Sequence, residues 1–242
     1  MLVLRGYYNG ESQTMKLLFG SGLVFSLLCG QAQAQEEGMR GLSHLTIDTV
    51  LHASINYNAR SCRLLMRRFT NDADIPFTDI LLTRLVPALS DTFLIQYNPG
   101  PSDDPEFSIY RRKRDSLVEL GSIGGLELSI PGTGFIFVSG HNDNMFNKRR
   151  QFSVTRAGLK EIQQPFYYVG LRSIAKNDIP IYGDTALAMK VSVLHKGSNF
   201  EVLVNRGDLY LLKTPYGIVG WTRIPDNGSG DTPIEGLFYA GD

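Results

Sequence analysis

The chain has 242 residues, 43% hydrophobic and 20% charged, an ordinary globular composition with room for one large or two small domains. Lys+Arg 24 balances Asp+Glu 24, so no overall charge draws it to nucleic acid. Eleven Tyr, thirteen Phe and 25 Gly, with many β-branched residues, favour β structure rich in turns.

The first element is an export signal. Met15-Lys16 opens a short basic region, Leu17 to Cys29 is apolar, and Ala32-Gln33-Ala34 is a small-x-small cleavage site before Gln35. The apolar run is too short and too interrupted by Gly for a membrane span. Residues 1–34 are therefore expected to be a signal peptide whose true start is Met15, and the mature chain to be periplasmic or secreted. Cleavage removes Arg5, Glu11 and Lys16 and leaves the chain near neutral. It also removes Cys29, so Cys62 remains alone and no intramolecular disulfide is expected. Leu28 stands where a lipoprotein signal wants a small residue, which argues against a lipid anchor on Cys29.

Residues 40–165 read as a β-rich domain with a short helix. Leu45, Ile47, Val50 and Leu51 fit one face of a helix, and Leu45, Ile47 and Thr49 fit a strand equally well. Phe77 to Leu89 reads as the helix. Thr78 is its N-cap, Ile80, Leu81, Leu85, Val86 and Leu89 recur at helical spacing, and Pro87 limits it. From Asp91 the pattern is β: Phe93–Tyr97, Phe107–Arg111, Leu117–Leu120, Leu126–Ile130, Phe135–Val138, Gln151–Thr155 and Leu159–Ile162. Asn98 to Pro105 and Pro131-Gly132-Thr133-Gly134 supply turns. Strands at this spacing indicate a meander that curls into a barrel or sandwich, or resembles part of a propeller.

Pro165-Phe166-Tyr167-Tyr168-Val169-Gly170 is the expected seam between two domains. Beyond it, Ile179–Tyr182, Ala188–Leu194, Phe200–Val204, Leu209–Lys213 and Ile218–Arg223 are short strands. They carry Lys196-Gly197, Gly207-Asp208-Leu209-Tyr210 and Gly217-Ile218-Val219-Gly220-Trp221 in order. This order resembles the bacterial SH3 (SH3b) domain over about 171–224, and it implies a small SH3-like β-barrel across 166–225. In that barrel Gly197 and Gly217 allow turns and Gly220 lets the wall bend. Val202, Leu211 and Val219 point into the core, and Trp221 covers one end of it or lines a groove. The chain departs from the family at Leu209, where an aromatic is usual, and in the Ile179-Pro180-Ile181-Tyr182-Gly183-Asp184 run. Residues 226–242 read as a loose tail.

SH3b domains hold peptidoglycan, peptides or partner domains, so the resemblance implies Tyr182, Tyr210, Tyr216 and Trp221 as ligand-binding residues. The expected function is non-catalytic binding to cell-wall glycan or peptide, or to an envelope protein. The rival is an envelope hydrolase with its active site in 40–165, which requires carboxylates such as Asp91, Glu106 or Glu127 to face each other. No catalytic residue, metal or cofactor is assigned. Cys62 lacks the sequence context of a peptidase nucleophile. His44, Asp48 and His52 share a face only on a helix and lack a zinc-peptidase Glu. His141-Asn142-Asp143-Asn144 reads as a polar hairpin tip rather than a calcium loop, and Arg206-Gly207-Asp208 as a turn. Arg111-Arg112-Lys113-Arg114 and Lys148-Arg149-Arg150 form a patch for anionic polymers only if their strands are neighbours.

Overall fold

The computed structural model describes residues 41–70, 76–85, 90–100, 103–114, 116–140, 144–155, 157–225 and 231–238. All of them lie in one compact unit, Met39–Asp242. The expected export signal and His141 to Asp143 lie outside the described residues. The described chain is all β. The first strands are β1 Ser43–Asp48, β2 Ala53–Tyr57, β3 Cys62–Thr70, β4 Pro76–Thr83, β5 Thr92–Asn98 and β6 Glu106–Lys113. There follow β7 Ser116–Gly124, β8 Glu127–Ile130, β9 Phe135–Ser139, β10 Arg150–Thr155, β11 Gly158–Ile162 and β12 Tyr167–Ile174. The last are β13 Ile179–Tyr182, β14 Lys190–Leu194, β15 Asn199–Arg206, β16 Leu209–Lys213 and β17 Val219–Arg223. Among the described residues no helix is long and apolar enough to cross a membrane.

These strands form three sheets. Sheet I has the order β1-β2-β8-β9-β10-β11, sheet II is the meander β3-β4-β5-β6-β7, and sheet III has the order β12-β15-β16-β17-β13-β14. Sheets I and II share one core. Ile55, Leu128, Ile136 and Val138 from the first meet Ile80, Ile95, Phe107 and Ile109 from the second, all fully buried. Alternation along each strand supplies this face, because successive side chains point to opposite sides. Two Ser on the other face of sheet II, Ser108 and Ser122, hydrogen-bond across strands at 2.8 Å.

The expected helix at Phe77–Leu89 is corrected to a strand over Pro76–Thr83; Val86 to Leu89 lie outside the described residues. The ladder to β5 slips between Asp79 and Leu81. Ile80 is the extra residue of a β-bulge, so Ile80 and Leu81 are both fully buried. Two adjacent apolar positions imitate helical spacing in a sequence. The undecided segment around Leu45 is strand β1, and Asp48 Oδ1 caps its turn by accepting the amides of Val50 (2.8 Å) and Leu51 (3.1 Å).

Sheet III buries its own face. Ile179, Ile181, Leu194, Phe200, Val202, Tyr210 and Leu212 all come from it and form one core. A single sheet can do this only by curling. It does not close into the expected barrel, because no ladder joins β14 to β15 or to β12. Each strand has two edges, and β15 spends its edges on β16 and β12. Gly220 sits where β17 crosses β13 most closely. A Cβ there would lie 2.4 Å from Ile181 Cγ2 and 2.6 Å from the Tyr182 carbonyl oxygen. Gly217 takes φ +81 in the turn between β16 and β17, a value that favours glycine.

Two further elements complete the sheet III core. Met145 and Phe146, which precede β10, are buried in it. So are Ile234 and Leu237, which corrects the expected loose tail over the described part, 231–238. Apolar burial is reinforced by backbone bonds. Lys176 N donates to Pro233 O (2.8 Å) and Glu235 N to Ile174 O (3.1 Å), while Ser173 Oγ donates to Glu235 O at 2.6 Å. The Gly and Pro of this stretch fit it to an edge rather than free it.

Candidate binding face

The side of sheet III away from its core carries an aromatic row. The ladders place Tyr168 opposite Val204, Val204 opposite Leu211, Leu211 opposite Trp221, Trp221 opposite Tyr182, and Tyr182 opposite Lys190. Each strand of the sheet contributes one residue, so the row crosses its full width, about 24 Å at the usual strand spacing. Opposed residues share a face, and their side chains meet. Val204 and Leu211 are buried yet lie outside the sheet III core, whereas Tyr168 is 63% exposed and Trp221 and Tyr182 are half-buried.

Phe166 lies over this row. Its ring centre is 6.1 Å from that of Trp221, and the Arg206 guanidinium lies over the Phe166 ring, 5.8 Å from its centre. Gly170, at φ +64, makes room for Tyr168. A Cβ there would fall 2.6 Å from the Tyr168 ring. The row is flanked by charge. On one side Lys213 Nζ and Glu201 Oε2 approach at 3.8 Å, and on the other Arg206 and Arg223 both oppose Leu209. The result is an open Tyr168 and two half-buried aromatics, Trp221 and Tyr182, with fixed charges alongside. It can hold a sugar ring or an extended peptide by stacking and edge hydrogen bonds, and it supplies no nucleophile.

Of the four aromatics expected to bind ligand, Tyr182 and Trp221 meet in this row. Tyr216 does not; it stands 90% exposed on the turn between β16 and β17. Tyr210 is corrected to a core residue. It is 2% exposed, and its ring meets Phe146 edge-on at 6.5 Å. Leu211 and Val219, expected inside, lie on the outer face with Trp221. In a strand with a period of two residues this is one error of parity, and it inverts every position at once. Sequence reasoning missed Phe166, Tyr168 and Arg206. The sequence signal for the two aromatics is the cluster Phe166-Tyr167-Tyr168 ahead of Gly170; Arg206 has no such mark.

The other candidates do not assemble into sites. His44 lies on strand β1, where its Nδ1 meets Asn56 Oδ1 at 2.9 Å, and no group of metal-ligating side chains occurs among the described residues. Cys62 is half-buried, and its Sγ donates to Thr83 Oγ1 at 3.2 Å. The two basic runs are far apart. The Arg150 guanidinium donates to Gly124 O at one end of β7, while Arg112 lies opposite Leu117, about 20 Å away along that strand. Glu127 is engaged by Asn56 Nδ2 (2.7 Å) and Arg149 (3.7 Å), and Glu106 and Asp91 lie at opposite ends of sheet II. Perturbed titrations also fall away from the row. Burial holds the Tyr97 hydroxyl well above the usual phenol range, and the Asp48 charge adds to this. That hydroxyl has no partner in hydrogen-bonding geometry. The Asp178 carboxyl is lowered by the Lys196 amide (2.8 Å) and then by His195 (3.3 Å).

No family model, curated protein or solved structure matches this chain.

Proposed function

We propose that the chain is an exported, non-catalytic binding protein of the bacterial cell envelope that holds peptidoglycan on the outer face of sheet III. The aromatic row carries this reading: on one face of the sheet Tyr168 stands open and Trp221 and Tyr182 are half-buried, with Phe166 packed on Trp221. Export rests on the signal-like run from Met15 to Ala34. The SH3b-like reading of β13 to β17 is supported by their order β15-β16-β17-β13-β14, in which the last strand returns to pair with the first. The close crossing at Gly220 supports it too. An envelope protein could use the same strip through an extended peptide segment. Among the described residues the carboxylates named for the hydrolase reading, Asp91, Glu106 and Glu127, are not brought together.

Retention of the purified chain on isolated cell-wall sacculi tests the proposal. The wild-type chain is expected to be retained and Trp221→Ala to bind about thirtyfold more weakly, the usual cost of losing a central aromatic anchor. Equal retention of both, or of neither, removes the wall-binding face.

A further inference from the structure

Strand β3 is one edge of sheet II. Among the described strands it pairs only with β4, so its outer row of backbone N–H and C=O groups has no ladder partner there. Seven of its nine residues are exposed, against five of nine in β7, the opposite edge of the same sheet. Leu64, Met66 and Phe69 are 42%, 38% and 43% exposed, and Phe69 stacks on Phe77 with ring centres 5.4 Å apart. The strand is also basic. Arg63, Arg67 and Arg68 are its only charged residues, and none of them forms an ion pair among the described residues. Asp79 stands opposite Arg67 in the ladder but accepts from Gln96 Nε2 at 2.9 Å instead. Arg63 and Arg67 share the outer face of the sheet. Their β4 partners, Leu82 and Asp79, pair with Leu94 and Gln96, which are two residues apart on β5. Leu64, next to Arg63, looks the other way. A β-bulge interrupts the edge between Leu64 and Arg67, with Met66 at φ +50.

We propose that β3 is the docking edge for an acidic, extended segment of another protein, which joins sheet II as a sixth strand. Charge selects this occupant over a second copy of the chain. A copy of β3 brought alongside would set two groups of three arginines along one seam, and like charges across a ladder repel. Charged side chains and a bulge are the usual devices that keep an edge from pairing with itself. Against a strand of opposite sign the same arginines attract, so the edge rejects one partner and accepts the other. Backbone hydrogen bonds to β3 supply the hold, and alternate side chains supply the choice. Carboxylates on one face of the added strand meet Arg63 and Arg67, and apolar residues on its other face cover Leu64. The arginines are strung along the strand and need no common point, since an extended partner carries its charges in a line too. This edge belongs to the two-sheet body and rests neither on the aromatic row nor on wall binding.

The test is titration of the full chain with three blocked octapeptides, followed by hydrogen exchange. The first is Thr-Val-Glu-Val-Glu-Val-Glu-Thr. The second replaces each Glu by Lys. The third keeps every Glu and replaces the central Val by Pro, which removes a ladder donor without changing the charge. The acidic peptide is expected to bind and to slow exchange of β3 amides. The Lys and Pro peptides are each expected to bind at least about tenfold more weakly, the scale of two or three cross-strand contacts. Arg63→Glu combined with Arg67→Glu should reverse the preference towards the Lys peptide. Trp221→Ala leaves all three titrations unchanged, so failure of the wall reading and failure of this edge are read separately. Equal binding of the acidic and Pro peptides shows charge attraction without strand addition and overturns the proposal. So do protection confined to other sheets, protection of β3 that grows with the concentration of the chain alone, or no acidic-peptide binding at millimolar concentration. The three-peptide comparison needs no variant and stands whether or not the double substitution folds.

Discussion

The two-sheet body and the curled sheet bury their apolar residues in different ways. In the first, sheets I and II face each other, and the core between them draws on both. In the second, sheet III supplies most of its own core and borrows Met145, Phe146, Ile234 and Leu237 to finish it. Facing sheets need no close backbone crossing, whereas a sheet curled on itself does, and Gly220 marks that place. Curling also turns the other face outward as a convex strip. There Val204 and Leu211 are buried outside the sheet III core, and the candidate binding face lies there. The lesson is that the same alternating strands yield a scaffold in one arrangement and a presentable aromatic surface in the other.

Core truncations break this comparison most forcefully. Phe146→Ala should cost about 3–5 kcal/mol, and Ile109→Ala about 2–5 kcal/mol. Urea unfolding gives the totals, and native-state hydrogen exchange gives the location. Phe146→Ala is expected to deprotect amides of β16 and β17 although the residue precedes β10. Ile109→Ala should deprotect β4 to β6. If Phe146→Ala loosens sheet II instead, the two cores are not organised as described.

Gly220→Ala comes next. Its methyl would meet Ile181 and the Tyr182 carbonyl well inside van der Waals distance, so about 1–3 kcal/mol is expected from overpacking. The same change at Gly124 meets nothing closer than 3.9 Å and should cost far less. Equal midpoints for the two variants would deny the close crossing.

The smallest effect separates the regions by pH. Tyr97 belongs to the two-sheet core, and its phenol is held neutral there by burial and by Asp48. Its folded pKa is raised, so its contribution is complete below the unfolded value of about 10 and is lost as pH rises through the folded value. The wild-type chain is expected to lose stability above about pH 10 through Tyr97. Tyr97→Phe should be neutral or slightly stabilising at pH 7, since it removes an unpartnered buried hydroxyl, and should flatten the alkaline decline. Thermal melts between neutral and alkaline pH check it; a variant that declines as steeply as wild type refutes the assignment.

The strands of β5, β6, β9 and β10 were legible because their alternation is clean and both turns and cores obey it. The bulge at Ile80 was not, since one inserted residue turns a period of two into a helical-looking pair. Sheet order was not legible either. The parallel pairing of β2 with β8 joins Ser54 to Glu127 and leaves no local mark. At the candidate face, Trp221 and Tyr182 were named through the SH3b resemblance, with their aromatic type as the physical reason. Tyr210 could not be excluded, because only the register of β16 decides which of Tyr210 and Leu211 looks inward. The tail misled through its Gly and Pro, which here shape a segment pinned by Ile234 and Leu237.

Trp221 is the only tryptophan in the chain, so its fluorescence reports on the aromatic row and on nothing else. Titration with soluble peptidoglycan fragments should give a saturable shift in its emission, abolished in Tyr168→Ala and Tyr182→Ala variants that keep the wild-type melting temperature. Saturable fragment binding with unchanged Trp221 emission, or an emission shift that both variants retain, would contradict a binding face on the outside of sheet III.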